Sequence, residues 1–452
     1  MKKVDGRIAT VLNTIASNGV VVHARRQHAV GQGGFHTGEL AAPTDPTVIV
    51  TSPDGVRIIA RSKFRYVYDC GSRQSKRCNA LAQRYSRSLD NNSIDLLFLS
   101  HFDDDHVNGV PELLSAAHGV RAETIVMPWV DDVERMIAFG KASLRGKSIG
   151  AFFRSLIVDP EATLTTFRPA RIVFIRRGPS GPDDDGFLDL NPDGDPGDLF
   201  RAKIRPDEHG GGKRSAASSV AAPGSSDIYI VGDDTVIEVI SIGATFSWLF
   251  KPYIQASDAA SVYAFERDAE SRLSWSWGTF RDIVRDRNVR RDLVGDPVKI
   301  KALAGAYKAA FGDRNLTSLS LYSGPDEVPG RGGRLMLNLD PCELVWKIGW
   351  LGTGDAPLKS PKDARELLSH FSAQQASIST FSLSHHGSIH NYSPTVVAGL
   401  QPRICVASAK PPKNWKHPHP AVMADVTSQG ASAVHVDDTD DSSFDEAFAV
   451  IL

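Results

Sequence analysis

Residues Ile94 to Gly109 read IDLLFLSHFDDDHVNG, and this stretch decides the fold. It opens as a strand: Ile94, Leu96, Leu97, Phe98 and Leu99 form a near-continuous apolar run, the pattern of a strand covered on both faces. It ends in His101, Asp103, Asp104, Asp105 and His106. Carboxylates held this close repel one another, and each raises its neighbours' pKa; a divalent cation removes the conflict. Read as ligands, the pattern is H-x-D-x-D-H. The bland alternative is a solvated acidic turn with two incidental histidines, and the motifs farther along the chain count against it. After Gly109 the segment PELLSAAHG reads as a helix.

Working outward, the totals set bounds. The chain has 452 residues, enough for one large domain with insertions or for two domains. A hydrophobic fraction of 41% and a charged fraction of 23% are ordinary for a globular protein. A net charge of −2 gives no global steering towards nucleic acid, so such binding needs a local patch. Cys70, Cys78, Cys342 and Cys405 are scattered without zinc-site spacing and suggest a reducing compartment. The opening MKKVDGRIATVLNTIASNG is broken by charge, and no run has the length of a membrane span, so the expected location is the cytoplasm.

Ahead of the ligand loop, GVVVHARRQHAV, PTVIV and VRIIA read as short strands, with Val30-Gly31-Gln32-Gly33 as a turn or close backbone approach. FRYVYDCGS is a further strand ending in Asp69-Cys70-Gly71. Beyond the loop, AETIVMPWVDD and RIVFIRRG read as strands, and Asp131 or Asp132, after MPWV, could add a ligand. Residues 178–226 turn rich in Gly, Pro, Asp and Ser, and read as a flexible insertion. Residues 258–312 read as helices carrying Arg267, Arg272, Arg281, Arg285, Arg287, Arg290 and Arg291 near Trp275 and Trp277. That mixture suits a nucleic-acid or partner surface, but interleaved acids make a solvated helix face the simpler reading. Gly352-Thr353-Gly354-Asp355 closes an apolar strand, and Phe381-Ser382-Leu383-Ser384-His385-His386-Gly387-Ser388 closes another. His417-Pro418-His419-Pro420 presents two imidazoles on conformationally restricted backbone.

Taken together these motifs resemble the metallo-β-lactamase superfamily, whose signature H-x-H-x-D-H differs here by Asp103 in place of the second histidine. V-G-Q-G, Asp69-x-Gly71, N-x-x-S-L-x-L from Asn315, H-H-G-S and H-P-H-P look most like the soluble metallo-β-lactamase-like domain of ComEC-type DNA-uptake proteins. The resemblance spans roughly 20–175 and 313–452 and leaves the middle uncovered. It implies a four-layer αββα sandwich with an inserted helical and flexible segment. The chain would divide into 1–177 and 313–452 as the two halves, 178–226 as the flexible insertion, and 227–312 as a strand plus basic helices.

The same resemblance implies two divalent ions, Zn²⁺ or Mn²⁺. His101, Asp103, Asp105, His106, Asp355 and His385 would be the ligands, with His386 as an alternative to His385 or a contact to the scissile phosphate. Asp69 would support the loop from behind. Asp105, His386, His417 and His419 would serve catalysis, and Ser388 and Asn414 would bind substrate. The implied activity is phosphodiester hydrolysis by activated water, with DNA as substrate. A small nucleotide or phospho-ester as substrate is the runner-up, and a non-catalytic binding subunit the third reading. The 227–312 insertion is also where a protein partner would dock; no membrane association is expected.

Overall fold

The computed structural model describes residues 20–42, 49–52, 55–58, 62–144, 149–179, 188–190, 199–207, 218–219, 226–241, 246–255, 258–312, 317–326, 335–339, 342–410 and 417–451. Asn414, most of the 178–226 segment and the start of the N-x-x-S-L motif lie outside them.

Two large sheets stack face to face. In the first, the order is Ser218–Ser219, Asp227–Gly232, Arg171–Arg176, Arg121–Pro128, Ser93–Phe98, Ser62–Ser72, Gly33–Ala42, Val20–Gln27, Phe444–Ile451, Leu335–Leu339, Cys342–Leu344. In the second it is Ser432–Val436, Ile404–Ser408, Ile378–Ser382, Gly349–Gly352, Leu319–Pro325, Ser247–Ile254, Thr235–Ser241, Phe200–Pro206, Leu188–Asp189. Each sheet holds a parallel run: 62–72 through 93–98, 121–128 and 171–176 to 227–232 in one, and 349–352 through 378–382 and 404–408 to 432–436 in the other. Parallel strands need covered faces, and alternate side chains go to opposite sides. Phe64, Tyr66, Tyr68, Leu96 and Phe98 enter the core between the sheets, against Trp248, Phe250 and Trp350. Val67, Ile94, Leu97 and Leu99 point the other way, into a core closed by helices. The near-continuous apolar run of the ligand strand is this two-sided burial.

The outer layer on the first sheet includes helices Ser75–Ser88, Asp132–Ser143, Ala151–Val158, Ala259–Leu273 and Pro297–Phe311. Pro361–His370, Pro394–Leu400 and Pro420–Ser428 cover the second. The architecture is the expected αββα sandwich. Its halves interleave more than the sequence suggested: 200–206, 235–241 and 247–254 join the second sheet, and 444–451 returns to the first between 20–27 and 335–339. The region 258–312 is helical, as its pattern indicated, and most of its arginines are engaged. Arg272 bonds Asp268, Arg287 meets Asp159 at 3.0 Å, and Arg290 donates to the carbonyls of Val158 and Val284. No helix among the described residues is long and apolar enough to cross a membrane.

Candidate metal centre

The parallel strands of both sheets deliver their carboxyl ends to one edge, where open α/β sheets bind ligands. There the ligand loop after 93–98, the Gly-Thr-Gly-Asp turn after 349–352 and the His-His turn after 378–382 meet. Two glycines make the approach possible. A Cβ on Gly354 (φ +49°) would lie 2.6 Å from Ser318 Oγ and 3.0 Å from Ser100 Cβ. A Cβ on Gly33, in V-G-Q-G, would lie 2.2 Å from the Gly71 carbonyl and 2.8 Å from that of Asp105.

Asp69 sits beneath the loop, buried, with φ +59°. Its carboxylate accepts from the Ser100 amide (2.7 Å), the Ser100 hydroxyl (2.7 Å) and His106 Nδ1 (2.8 Å). Ser100 Oγ, having donated to Asp69, accepts from His101 Nδ1 at 2.8 Å. One carboxylate thus fixes the tautomer of two imidazoles, leaving each Nε2 with its lone pair turned inward. The other half does likewise. Asn391 donates Nδ2 to the Asp355 carbonyl (3.1 Å) and accepts from His385 Nδ1 on Oδ1 (2.9 Å), while His386 Nδ1 donates to the Ser408 carbonyl (2.9 Å).

All four Nε2 atoms converge on the Asp355 carboxylate: His106 at 3.4 Å, His101 at 3.5 Å, His385 at 3.7 Å and His386 at 3.9 Å. Those of His101, His106 and His386 are buried without a hydrogen-bond partner. His101, His106 and Asp355 can offer ligand atoms all within 4.8 Å of one another. Imidazole nitrogens and a carboxylate in this arrangement fit a divalent metal ion.

The electrostatics agree. Burial and the neighbouring His106 oppose a charge on His101, but Asp355 and Asp103 outweigh them and raise its pKa. Burial likewise opposes a charge on His106, and Asp69 and Asp355 carry its pKa well above the ordinary value. Burial works to raise the Asp355 pKa, and the surrounding imidazoles instead hold it well below the carboxylate range. Burial pulls His386 down to about 3 and His417 down to about 4.

Asp103 is fully buried and bound by the Lys141 ammonium, which also lies 3.9 Å from Asp355 Oδ2. A cation thus already stands between two of the carboxylates expected to hold metal. Asp105 accepts from Arg73 Nε at 2.9 Å. Asp131 and Asp132 turn elsewhere: Asp131 caps helix 132–143 and pairs with Arg281, while Asp132 pairs with Arg135 and Arg290. The His417 ring lies 5.7 Å from that of His385, tilted by 33°. His419 caps helix 420–428, its Nδ1 accepting from the Ala421 amide at 3.2 Å. Ser388 is buried and accepts from the His390 amide at 3.2 Å.

Sequence reasoning missed Lys141, Arg73, Ser100 and Asn391. Only Lys141 left a trace: Val133, Ile137 and Lys141 recur every fourth residue on a buried helix face, so a lysine falls where an apolar residue belongs.

Two face-to-face sheets flanked by helices, with ligand-bearing loops at one edge, form the metallo-β-lactamase sandwich. Residues 57–233 match the family model described as Metallo-beta-lactamase superfamily, a span that takes in Asp69, the ligand loop and Lys141. No curated protein matches the sequence. A solved structure described as "Crystal structure of a long form RNase Z from yeast" aligns at 9% identity and a TM-score of 0.30, over 86% of this chain and 36% of that one. So loose a superposition brings nothing of that enzyme's substrate across.

Proposed function

We propose that this protein is a metal-dependent hydrolase of phosphodiester bonds, acting on DNA. The observation that carries the reading is the convergence of four imidazole Nε2 atoms on Asp355, each with its Nδ1 tied back to the protein. His101, His106, Asp355 and one or both of His385 and His386 would hold one divalent ion. Such an ion supplies Lewis acidity and a nucleophilic water near neutral pH. Lys141 would take over the charge balance that a second ion provides elsewhere, so that one ion would suffice.

The chain's own residues supply the rest. Asp105, held by Arg73, would accept a proton from the attacking water. Arg73 and Lys141, each held by a carboxylate, would add positive charge beside the phosphoryl oxygens. His417, pulled down to about 4 by burial, is neutral at pH 7, so its part is a hydrogen bond to the substrate rather than a stored proton. His419 serves its helix. The choice of DNA rests on the ComEC-type motifs of the sequence.

The test is to measure bound metal in the purified chain and incubate it with linear and circular DNA in Mn²⁺, Mg²⁺ or Zn²⁺, beside His106→Ala. Metal-dependent cleavage lost in the variant supports the proposal. Intact DNA with turnover of bis(p-nitrophenyl) phosphate transfers it to small phosphodiesters. Neither metal nor turnover overturns it.

A further inference from the structure

We infer that a cleft beside the metal centre receives an unpaired base of the substrate strand, an inference that rests on the phosphodiesterase reading. The cleft, about 560 Å³, lies between Trp129 at the end of strand 121–128 and helix 259–273, with Tyr263, Val262 and Ile254 on its walls. It adjoins the site: Glu134 and Thr317, joined by a 3.0 Å hydrogen bond, line it and also line the small pocket that contains His101 and Lys141. A strand whose phosphate sits at the ligand cluster has this cleft as the neighbouring space.

Its chemistry selects the base rather than the backbone. Trp129 is 39% exposed and Tyr263 is 55% exposed, high values for large aromatic side chains. Both are held in place. Trp129 meets Phe174 edge to face at 5.4 Å, and Tyr263 meets Trp277 edge to face at 6.4 Å. The Trp277 ring is in turn covered by the Arg267 guanidinium, 3.4 Å from its centroid. Rigid aromatic faces open to solvent are what unpaired bases stack on. The cations lining the cleft are engaged: Arg281 bridges Asp131 (2.7 Å) and Glu266 (2.8 Å), both on the same walls, Arg177 pairs with Glu366 (3.0 Å) outside it, and Arg176 donates to the Pro179 carbonyl (2.9 Å). Polyphosphate therefore finds no concentrated positive field. Gln255, also on the wall, donates Nε2 to Asp363 at 3.0 Å and has no hydrogen-bond partner at its buried Oε1, an acceptor for an exocyclic amino group. Bases in a duplex have their faces covered, so the occupant is single-stranded.

The experiment uses the full chain carrying His106→Ala, to prevent cleavage, and a labelled single-stranded oligonucleotide read by fluorescence anisotropy. Adding Tyr263→Ala or Trp129→Ala should weaken binding about tenfold, the scale of one lost base stack. An oligonucleotide with abasic positions should bind the His106→Ala chain about tenfold more weakly too, and the cleft variants should no longer distinguish it from the intact strand. Trp346→Ala, which removes an exposed tryptophan away from the cleft, should bind as the parent does. Unchanged affinity in the cleft variants, or equal loss for intact and abasic strands, overturns the inference. Cleavage of DNA by the unmodified chain alongside such a result leaves the functional proposal standing. Abasic-sensitive binding by a chain that cleaves nothing sinks the functional proposal and keeps the cleft.

Discussion

Asp69 orients two imidazoles, His106 directly and His101 through Ser100, and this gives it influence out of proportion to its distance from substrate. Asp69→Asn should lower metal affinity by about 10- to 100-fold, the usual cost of losing a residue that orients a ligand, with little loss of folded protein. Competition with a chromogenic chelator measures it; unchanged affinity would remove Asp69 from the site's construction. Lys141 is the second sensitive residue. Lys141→Met takes the ammonium away from the fully buried Asp103 carboxylate, and breaking a buried ion pair costs about 3–5 kcal/mol. Chemical denaturation reads this directly, and a loss below about 1 kcal/mol would reduce the pair to the standing of a surface ion pair. The histidines and Asp355 were legible in the sequence because each follows an apolar strand, where a ligand is an exception to the pattern. Arg73 and Asn391 were not, since polar residues in loops are the rule and nothing local shows that they face inward.

At the scale of elements, helix 132–143 presents Lys141 to the site, and helix 297–311 packs behind it. Their crossing is close: a Cβ on Gly140 would sit 2.7 Å from the Leu303 carbonyl. Gly140→Val should push the helices apart and destabilise the protein by about 1–3 kcal/mol, the range for overpacking. Because Lys141 is the next residue, hydrolysis should fall more than the folded fraction does; activity tracking folded fraction alone would mean that the insertion does not position the lysine. Helical spacing made the 258–312 elements readable, and so was their balance of charge, now seen as specific pairs. Strands 200–206, 235–241 and 247–254 were harder to place. Alternation shows that a strand exists, but which sheet it joins depends on partners far away in the chain.

For the whole molecule, the site is complete only where both sheets meet, so the ion should act as a clasp between them. Saturation at 100 times its dissociation constant corresponds to about 2.7 kcal/mol of added stability. The pH dependence has a definite sign. His101 and His106 have raised folded pKa values, so in the metal-free protein their stabilisation is fully present below about pH 6.5 and lost as pH rises through the folded values. Metal requires the same nitrogens unprotonated. The melting-temperature gain from Zn²⁺ or Mn²⁺ should therefore grow between about pH 6 and about pH 8. Scanning fluorimetry at both values decides it, and a gain that shrinks with rising pH would exclude these imidazoles as ligands.

The strand Phe444–Ile451 pairs with Val20–Gln27 on one side and Leu335–Leu339 on the other. During synthesis, then, the first sheet stays open along residues 20–27 until almost all of the described chain has left the ribosome. A message broken ahead of Phe444 would yield a polypeptide carrying every histidine of the cluster and a bare β-edge, the kind of surface that recruits other strands. Until Phe444–Ile451 docks, a nascent chain therefore keeps an edge open to pairing with other polypeptides.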